Sequence, residues 1–464
     1  MELSGKRVTV MGLGTRGGGI GVARFLVEAG SIVTVTDGKN AEDLAVPLAE
    51  LDDLPITYVL GEHRVNDFTK HGADLVVRNP AVRRWSPWLQ LARESGIPVE
   101  MEMSLFLKLA PGPVIGITGT KGKTTTAALC GEILKKWRSD TVVAGNMGVS
   151  AVTNLPSLTA DTPVVIEISN WQLEGLLEHQ VGPQIAVLTN ISEDHLDTYD
   201  SFDDYAGMKR SIARCLQPDD IFIVNADDPE SWKAVHETRA KVVGVSTTQR
   251  EGGVCAHGQS VIWNLDDHCG SASIPDHPWF RGDALRHNVC AAVCAAVVRG
   301  ATIEAVEEGL SAFAGVENRS ELVAEIDGIR FINDTSATAP AAVVSAMNAL
   351  EGDRAHVIAG GADKKSDLSP LADILAERAE TITLLEGSAT SELRRMLLDR
   401  NAQLMGVHHS MESAIAAAVS VAEPGDTVIL SPGCASFGLF QDEFDRGAQF
   451  RSIVLAIAAT RKSS

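Results

Sequence analysis

Residues 119 to 126, Gly-Thr-Lys-Gly-Lys-Thr-Thr-Thr, follow the apolar run Val114-Ile-Gly-Ile-Thr118 and precede Ala127-Ala128-Leu129, where a helix is expected to start. Glycines at 119 and 122 let the backbone curl its N–H groups around oxyanions, and the helix start adds its positive dipole end. Lys123 brings a point charge and Thr124 a hydroxyl suited to Mg2+. Gly119, Thr120, Lys121, Gly122, Lys123, Thr124 and Thr125 therefore read as a cradle for the phosphates of ATP or GTP. Ile117 stands where the strict pattern has its first glycine. A plain Gly/Thr-rich surface turn is the alternative, and the flanking strand and helix patterns speak against it.

Glu167 follows an apolar strand, where burying it is costly unless a cation or metal faces it. His195, in Asn190-Ile-Ser-Glu-Asp-His-Leu-Asp197, falls at the end of a neighbouring strand. The pair suits a second Mg2+, with Thr124 on the first, although imidazole is an unusual Mg2+ ligand and hydrogen bonding is the other reading of His195. Lys209 sits at the edge of a helical stripe made of Tyr205, Met208, Ile212 and Cys215, where a snorkelling lysine is the default.

A second glycine turn, Gly12-Leu-Gly14-Thr-Arg-Gly17, lies between a strand at 6 to 11 and a helix from Ile20 to Ala29. A strand at 31 to 36 follows and closes on Asp37. That is a Rossmann-like unit, and its plain reading is a dinucleotide site, so a nicotinamide-dependent oxidoreductase is a rival function.

These groups need parallel sheets to position them. Strands are expected at 56 to 60, 73 to 77 and 98 to 101, and Pro111-Gly-Pro113 makes a hinge. A central set follows at 141 to 143, 163 to 168 and 184 to 189, with short β pieces from 242 to 279 and a helix from 288 to 299. A last set is expected at 331 to 334, 356 to 359, 381 to 385 and 427 to 430. At about 150 residues per domain, the 464 residues suggest three α/β domains, at 1–110, 111–314 and 315–464. Two Rossmann-like parallel sheets would flank a central nucleotide-loop ATPase domain.

A net charge of -21 argues against nucleic acid as the main partner, so anionic substrates must be held by local cations, loop amides and metal ions. The seven cysteines are scattered without a Cys-x-x-Cys pair, which fits a reduced cytoplasm rather than a disulfide scaffold. Neither a signal-peptide core nor a run of about eighteen apolar residues occurs, so no membrane span is expected.

The run Gly-Thr-Lys-Gly-Lys-Thr-Thr-Thr, with Glu167-x-Ser-x-x-Gln172 and Asn190-x-x-Glu-Asp-His195-x-Asp197 following in order, resembles the Mur ligases. These are ATP-dependent amide-forming enzymes of peptidoglycan precursor synthesis. The likeness runs from Lys6 to about Phe450 and implies a reaction. ATP would activate the carboxyl of UDP-N-acetylmuramoyl-L-alanine as an acyl phosphate, which the amine of glutamate, D by family likeness, attacks. A member adding another amino acid, such as L-glutamate, is the alternative within the family.

The resemblance also implies roles. Glu167, His195 and a carbamylated Lys209 would hold metal, with Lys123, His195 and Lys209 as the catalytic groups. Gly14, Thr15, Arg16, Asp37, Asn146 and Gln172 would bind the UDP substrate. Asn288, Arg319 and Asp334 would meet the nucleotide, Arg319 by closure of the third domain. Thr338, Lys364 and Ser436 would hold glutamate in a monomeric protein. Two departures stand out: Arg78-Asn79-Pro80-Ala81 replaces the usual Ser-Pro-Gly, and Ser336 replaces a lysine, a loss that Lys365 could offset.

Overall fold

The first sheet is built from β1 (Arg7–Met11), β2 (Ile32–Asp37), β3 (Thr57–Leu60), β4 (Leu75–Arg78) and β5 (Val99–Met101), in the order β3-β2-β1-β4-β5. All its pairings are parallel. In this computed structural model the described residues are 2–14, 18–145, 150–193, 199–248, 252–265, 268–276, 280, 282–350, 352–363 and 366–462. The order reverses between β1 and β4, and such a switch point opens a crevice at the carboxyl ends of the strands.

The central sheet takes β6 (Val114–Thr118), β7 (Val142–Gly145), β8 (Val164–Glu167), β9 (Ile185–Leu188), β10 (Ile221–Asn225) and β11 (Lys241–Ser246). It also takes β12 (Gly253–His257), β13 (Ser260–Leu265) and β14 (His268–Ser273). Its order is β14-β13-β12-β11-β10-β9-β6-β8-β7, so β6 stands between β8 and β9. β6, β8 and β9 are buried along their whole length. This is why they read as continuous apolar runs rather than alternating ones. The pieces β12, β13 and β14 pair antiparallel, which makes this sheet mixed.

The last sheet holds β15 (Glu321–Ile326), β16 (Ile329–Asn333), β17 (Ala355–Gly360), β18 (Ala379–Leu385), β19 (Leu404–His408) and β20 (Thr427–Leu430), in the order β15-β16-β20-β17-β18-β19. Only β15 is antiparallel to its neighbour. The sequence reading lacked β10, β15 and β19.

By internal contacts the chain forms two compact units. One comprises Met1–Pro275 with Asp283–Ala312 and holds the first two sheets; a single apolar core, including Val10, Leu105, Ile166, Leu188 and Phe222, runs through both. The other comprises Asp276–Gly282 with Phe313–Ser464 and packs helices on both faces of the last sheet, in separate clusters around Val357 and Val428.

Two helices start earlier than the sequence suggests. The one after the phosphate loop is Lys123–Trp137, because Thr126 N–H already donates to Gly122 O at 2.8 Å; three β-branched threonines, weak helix formers, mask that start. The other begins at Asp283 and ends at Arg299.

Candidate active site

Gly119 and Gly122 have φ of 143° and 82°, backbone that favours glycine. A Cβ on Gly119 would lie 2.0 Å from Thr189 Oγ1, and one on Gly122 would lie 2.2 Å from Asn288 Oδ1. Space as well as conformation therefore demands glycine at both. The turn between them is pinned from β9: Lys121 N–H donates to Asn190 Oδ1 and Asn190 Nδ2 donates to Lys121 O, both at 2.9 Å. Thr189 Oγ1 donates to the same carbonyl at 2.7 Å. Thr120 turns inward, its hydroxyl 3.0 Å from Tyr205 Oη, so its side chain holds the loop rather than a ligand. Lys123 Nζ reaches back to Thr120 O at 2.8 Å.

β8 delivers Glu167 beside this turn. The carboxylate is 2% exposed and accepts a 2.7 Å hydrogen bond from Thr124 Oγ1. Carboxylate and hydroxyl meet at the start of the helix Lys123–Trp137, the donor set that a hard divalent cation prefers. Lys209 comes from the helix Phe202–Arg214 and is 1% exposed, with Nζ 5.7 Å from the centre of the Tyr205 ring. The snorkelling reading is thereby overturned: residues 205, 206 and 209 all face inward, and the lysine lies too deep for its amine to reach water. His195 lies outside the described residues, and among those described no cluster of three His, Cys, Asp or Glu side chains could hold a metal.

At the first switch point, Asp37 Oδ2 accepts from Leu13 N–H and Oδ1 accepts from Lys39 N–H, each at 2.9 Å, so it shapes the glycine turn from below. Gly14 has φ of 67°, and a Cβ there would lie 3.0 Å from Asn79 Nδ2. Arg78 is buried, donating to Val82 O at 2.8 Å and to Glu174 Oε2 at 3.1 Å. Gln172 forms a capping box with Ser169 at the start of the helix Asn170–His179. Thr15, Arg16 and Asn146 lie outside the described residues.

In the second unit, Asp334 follows β16 and accepts from Ser320 N–H at 2.9 Å and from Ser431 Oγ at 2.7 Å. Burial pushes its carboxyl up to about 6, against the pull of Ser431, Ser320 and Arg319. Exposed Arg319 is flanked by Asn318 and Ser320 at φ of 64° and 42°, a strained turn that brings it beside Asp334. Thr338 and Ser336 lie half-buried on the loop after Asp334, and Ser436 is buried after β20. Ala435 and Ala362 exchange backbone hydrogen bonds of 2.8 and 3.0 Å, which sets the segment preceding Lys364 against Ser436. Lys364 and Lys365 lie outside the described residues.

Three family models match the chain. They are the Mur ligase MurD-like N-terminal domain over residues 6–100, the Mur ligase middle domain over 117–296, and the Mur ligase glutamate ligase domain over 318–434. A UDP-N-acetylmuramoylalanine–D-glutamate ligase of Roseiflexus sp. (strain RS-1) is 44% identical over 98% of this chain and 99% of its own. The chain belongs to the Mur ligase family. A ligase of the same name from Symbiobacterium thermophilum is 36% identical over 98% of both chains. The solved structure of the UDP-N-acetylmuramate–alanine ligase MurC from Thermotoga maritima shares the fold, with a TM-score of 0.62 at 20% identity over 98% of this chain and 100% of that one.

Mur ligases are ATP-dependent, and this chain is a ligase of that class. The oxidoreductase alternative has no support: the glycine turn that suggested it belongs to the match with a ligase N-terminal domain. The loop suits the phosphates of ATP, since two glycines at positive φ lead it into the start of the helix Lys123–Trp137, and the Thr124–Glu167 pair fits Mg2+. Sequence reasoning gave no role to Asn190, Thr189, Asp227 or His287. Asp227 accepts from His287 Nε2 at 2.8 Å and from Thr247 N–H at 2.8 Å, fixing the start of the helix that carries Asn288. Asn190 was visible in the motif; Asp227 follows the unread β10. Among the described residues no helix is long and apolar enough to cross a membrane.

Proposed function

We propose that this Mur ligase joins D-glutamate to the carboxyl of UDP-N-acetylmuramoyl-L-alanine at the expense of ATP, in peptidoglycan precursor synthesis. The observation that carries this reading is likeness along the full chain, at 44% identity, to a ligase of that name. The Thr124–Glu167 pair beside a glycine-closed phosphate loop is the geometry that agrees with it.

In this reading the loop N–H groups and Lys123 hold the β- and γ-phosphates, and Asn288 and Asp334 hold the nucleoside. Thr124, Glu167, His195 and Lys209 are the groups to bind Mg2+, which would supply charge neutralisation at the transferring phosphoryl group. The γ-phosphoryl passes to the donor carboxylate and ADP leaves; the glutamate amine then attacks the acyl phosphate and phosphate departs. The glycine turn, Asp37, Thr15, Arg16, Asn146 and Gln172 hold the UDP substrate. Thr338, Ser436 and Lys364 hold glutamate.

Lys209 is read as carbamylated. What supports this is its full burial close to the loop-binding Tyr205, a setting in which an ordinary solvated ammonium does not fit. A cytoplasmic monomer is the accompanying reading, and the scattered cysteines, without a Cys-x-x-Cys pair, suit a reducing compartment. The test is product formation from the muropeptide donor and ATP with D-glutamate, L-glutamate and L-alanine in turn. Turnover with D-glutamate alone supports the proposal; preference for either other amino acid refutes it.

A further inference from the structure

The loop that leaves β4 begins with Asn79, packed against Gly12 and Gly14, and continues into a cavity of about 380 Å3. Arg83, Arg84, Trp171, Tyr199, Asp200 and Asp203 are among the residues that wall it. Trp171 lies four residues beyond Glu167, on the first turn of the helix Asn170–His179.

Of the seven arginines described in residues 1–110, four are tied to carboxylates, Arg7 to Asp74, Arg24 to Asp53, Arg78 to Glu174 and Arg93 to Glu178, and Arg64 is not among the residues that line the cavity. Arg83 and Arg84 differ. Both are exposed, and among the described residues neither makes an ion pair. In a chain of net charge -21, such cations beside a cavity provide a local attraction for anions that the overall field does not.

Their orientation is set by aromatic rings. Arg83 Cζ lies 5.1 Å from the Trp171 ring centre and 5.8 Å from that of Trp85, and Arg84 Cζ lies 5.9 Å from Trp85. A guanidinium stacked on indole keeps its N–H edge free for two parallel hydrogen bonds to a phosphate or carboxylate. Trp171 in turn stacks on Tyr199 at 6.1 Å and 24°, giving a flat apolar wall.

The same cavity is lined by the carboxylates of Glu174, Asp200, Asp203 and Asp204, with Arg214 as a third cation. A purely anionic ligand would be repelled there. A phosphate joined to a hydroxylated ring has its charge at one end and hydrogen-bond donors at the other, and a ring face that packs on indole.

We propose that Arg83 and Arg84 are specificity-determining residues that grip the anionic end of a sugar–phosphate donor, whose ring lies between Trp171 and the aspartates. This rests on the donor being a nucleotide-linked sugar, as in the function proposed above.

The experiment is steady-state kinetics of Arg83→Gln, Arg84→Gln and the double variant, with UDP-N-acetylmuramoyl-L-alanine, ATP and D-glutamate each varied in turn. The expected result is a donor KM about tenfold higher in each single variant and about a hundredfold higher in the double, with kcat and the other two KM values within about twofold. Arg83→Lys, which keeps the charge and loses the planar stack, should recover part of the donor KM. An unchanged donor KM in the double variant overturns the assignment, and so does an equal rise for all three substrates. Failure of the unmodified protein to turn over this donor refutes the proposed function instead, so the two failures are distinct. Both arginines are exposed, so their replacement leaves the core packing unchanged, and a calorimetric titration of the double variant with the donor alone reads the same loss without turnover.

Discussion

Replacing Asp334 by asparagine separates what this carboxylate costs the fold from what it is proposed to do for the nucleotide. The group is 7% exposed, and burial raises it from the ordinary 3.8 to about 6 even though Ser431, Ser320 and Arg319 favour its charged form. Between those two pH values the folded chain binds the proton that the unfolded chain has released. Stability therefore falls as pH rises from about 4 to about 6, and the whole cost is present at neutral pH. A rise of roughly two units corresponds to about 3 kcal/mol.

Asparagine removes the titration. Its Oδ1 accepts from Ser320 N–H as before, and the Ser431 hydroxyl turns to accept from Nδ2, a weaker set worth about 1 kcal/mol less. The net expectation at pH 7.5 is a gain of about 2 kcal/mol. For a unit of this size that is about 4 to 8 °C in the melting temperature of the C-terminal transition. Scanning calorimetry of both proteins from pH 4.5 to 8 reads it, with the two units resolved as separate transitions where they unfold separately. The gain should shrink towards zero below pH 5. An asparagine variant that is less stable at pH 7.5, or a gain that is the same at every pH, would refute the argument. The same variant should bind ATP about tenfold more weakly, because an amide is a poorer acceptor for ribose hydroxyls than a carboxylate.

Lys123→Ala should lower kcat by several orders of magnitude with an unchanged melting temperature, if the half-buried lysine serves phosphates rather than packing as proposed; turnover within about tenfold of the parent would remove it from the phosphate site. Asn190→Ala removes both side-chain bonds to Lys121 and should raise the ATP KM about tenfold while costing about 1 to 2 kcal/mol of stability, to be read by kinetics and thermal melts of one preparation. Lys209→Ala should lose activity that added acetate or formate partly restores, because a small carboxylate can take the position of a carbamate; absence of any rescue over a titration of both acids counts against carbamylation. Lys364→Ala should raise the D-glutamate KM about ten- to a hundredfold, and an unchanged value would withdraw that residue from the amino-acid pocket.

What could be read from the sequence was governed by where each residue's information lies. The phosphate loop and Glu167 were legible because local chemistry and local pattern coincide there: glycines, a lysine and hydroxyls in eight residues, and a charge ending an apolar run. The depth of Lys209 was not legible because helical periodicity places it at the margin of a stripe, whereas the inward face of the helix Phe202–Arg214 is wider and takes in residues 205, 206 and 209 together. β15 and β19 were missed for a common reason. Both are edge strands with mostly half-exposed residues, so neither shows the apolar run or clean alternation of an interior strand, and β15 carries the charges that keep an edge from pairing further.

A different kind of information decides how the candidate sites close. Asn190 reaches Lys121 across 69 residues of chain, and Ser431 reaches Asp334 across 97. Asn79 packs on Gly14 in the same manner. In each case the two partners leave the carboxyl ends of strands that are neighbours in the sheet and distant in sequence: β9 beside β6, β20 beside β16, β4 beside β1. Residue types announce that a turn can bind an anion, but the strand order determines which second turn braces it. That order depends on which apolar faces find each other in the folded core, and no local pattern encodes it. It follows that a change at a bracing residue such as Asn190 or Ser431 should alter ligand affinity as much as a change in the loop it supports, although neither residue need touch the ligand.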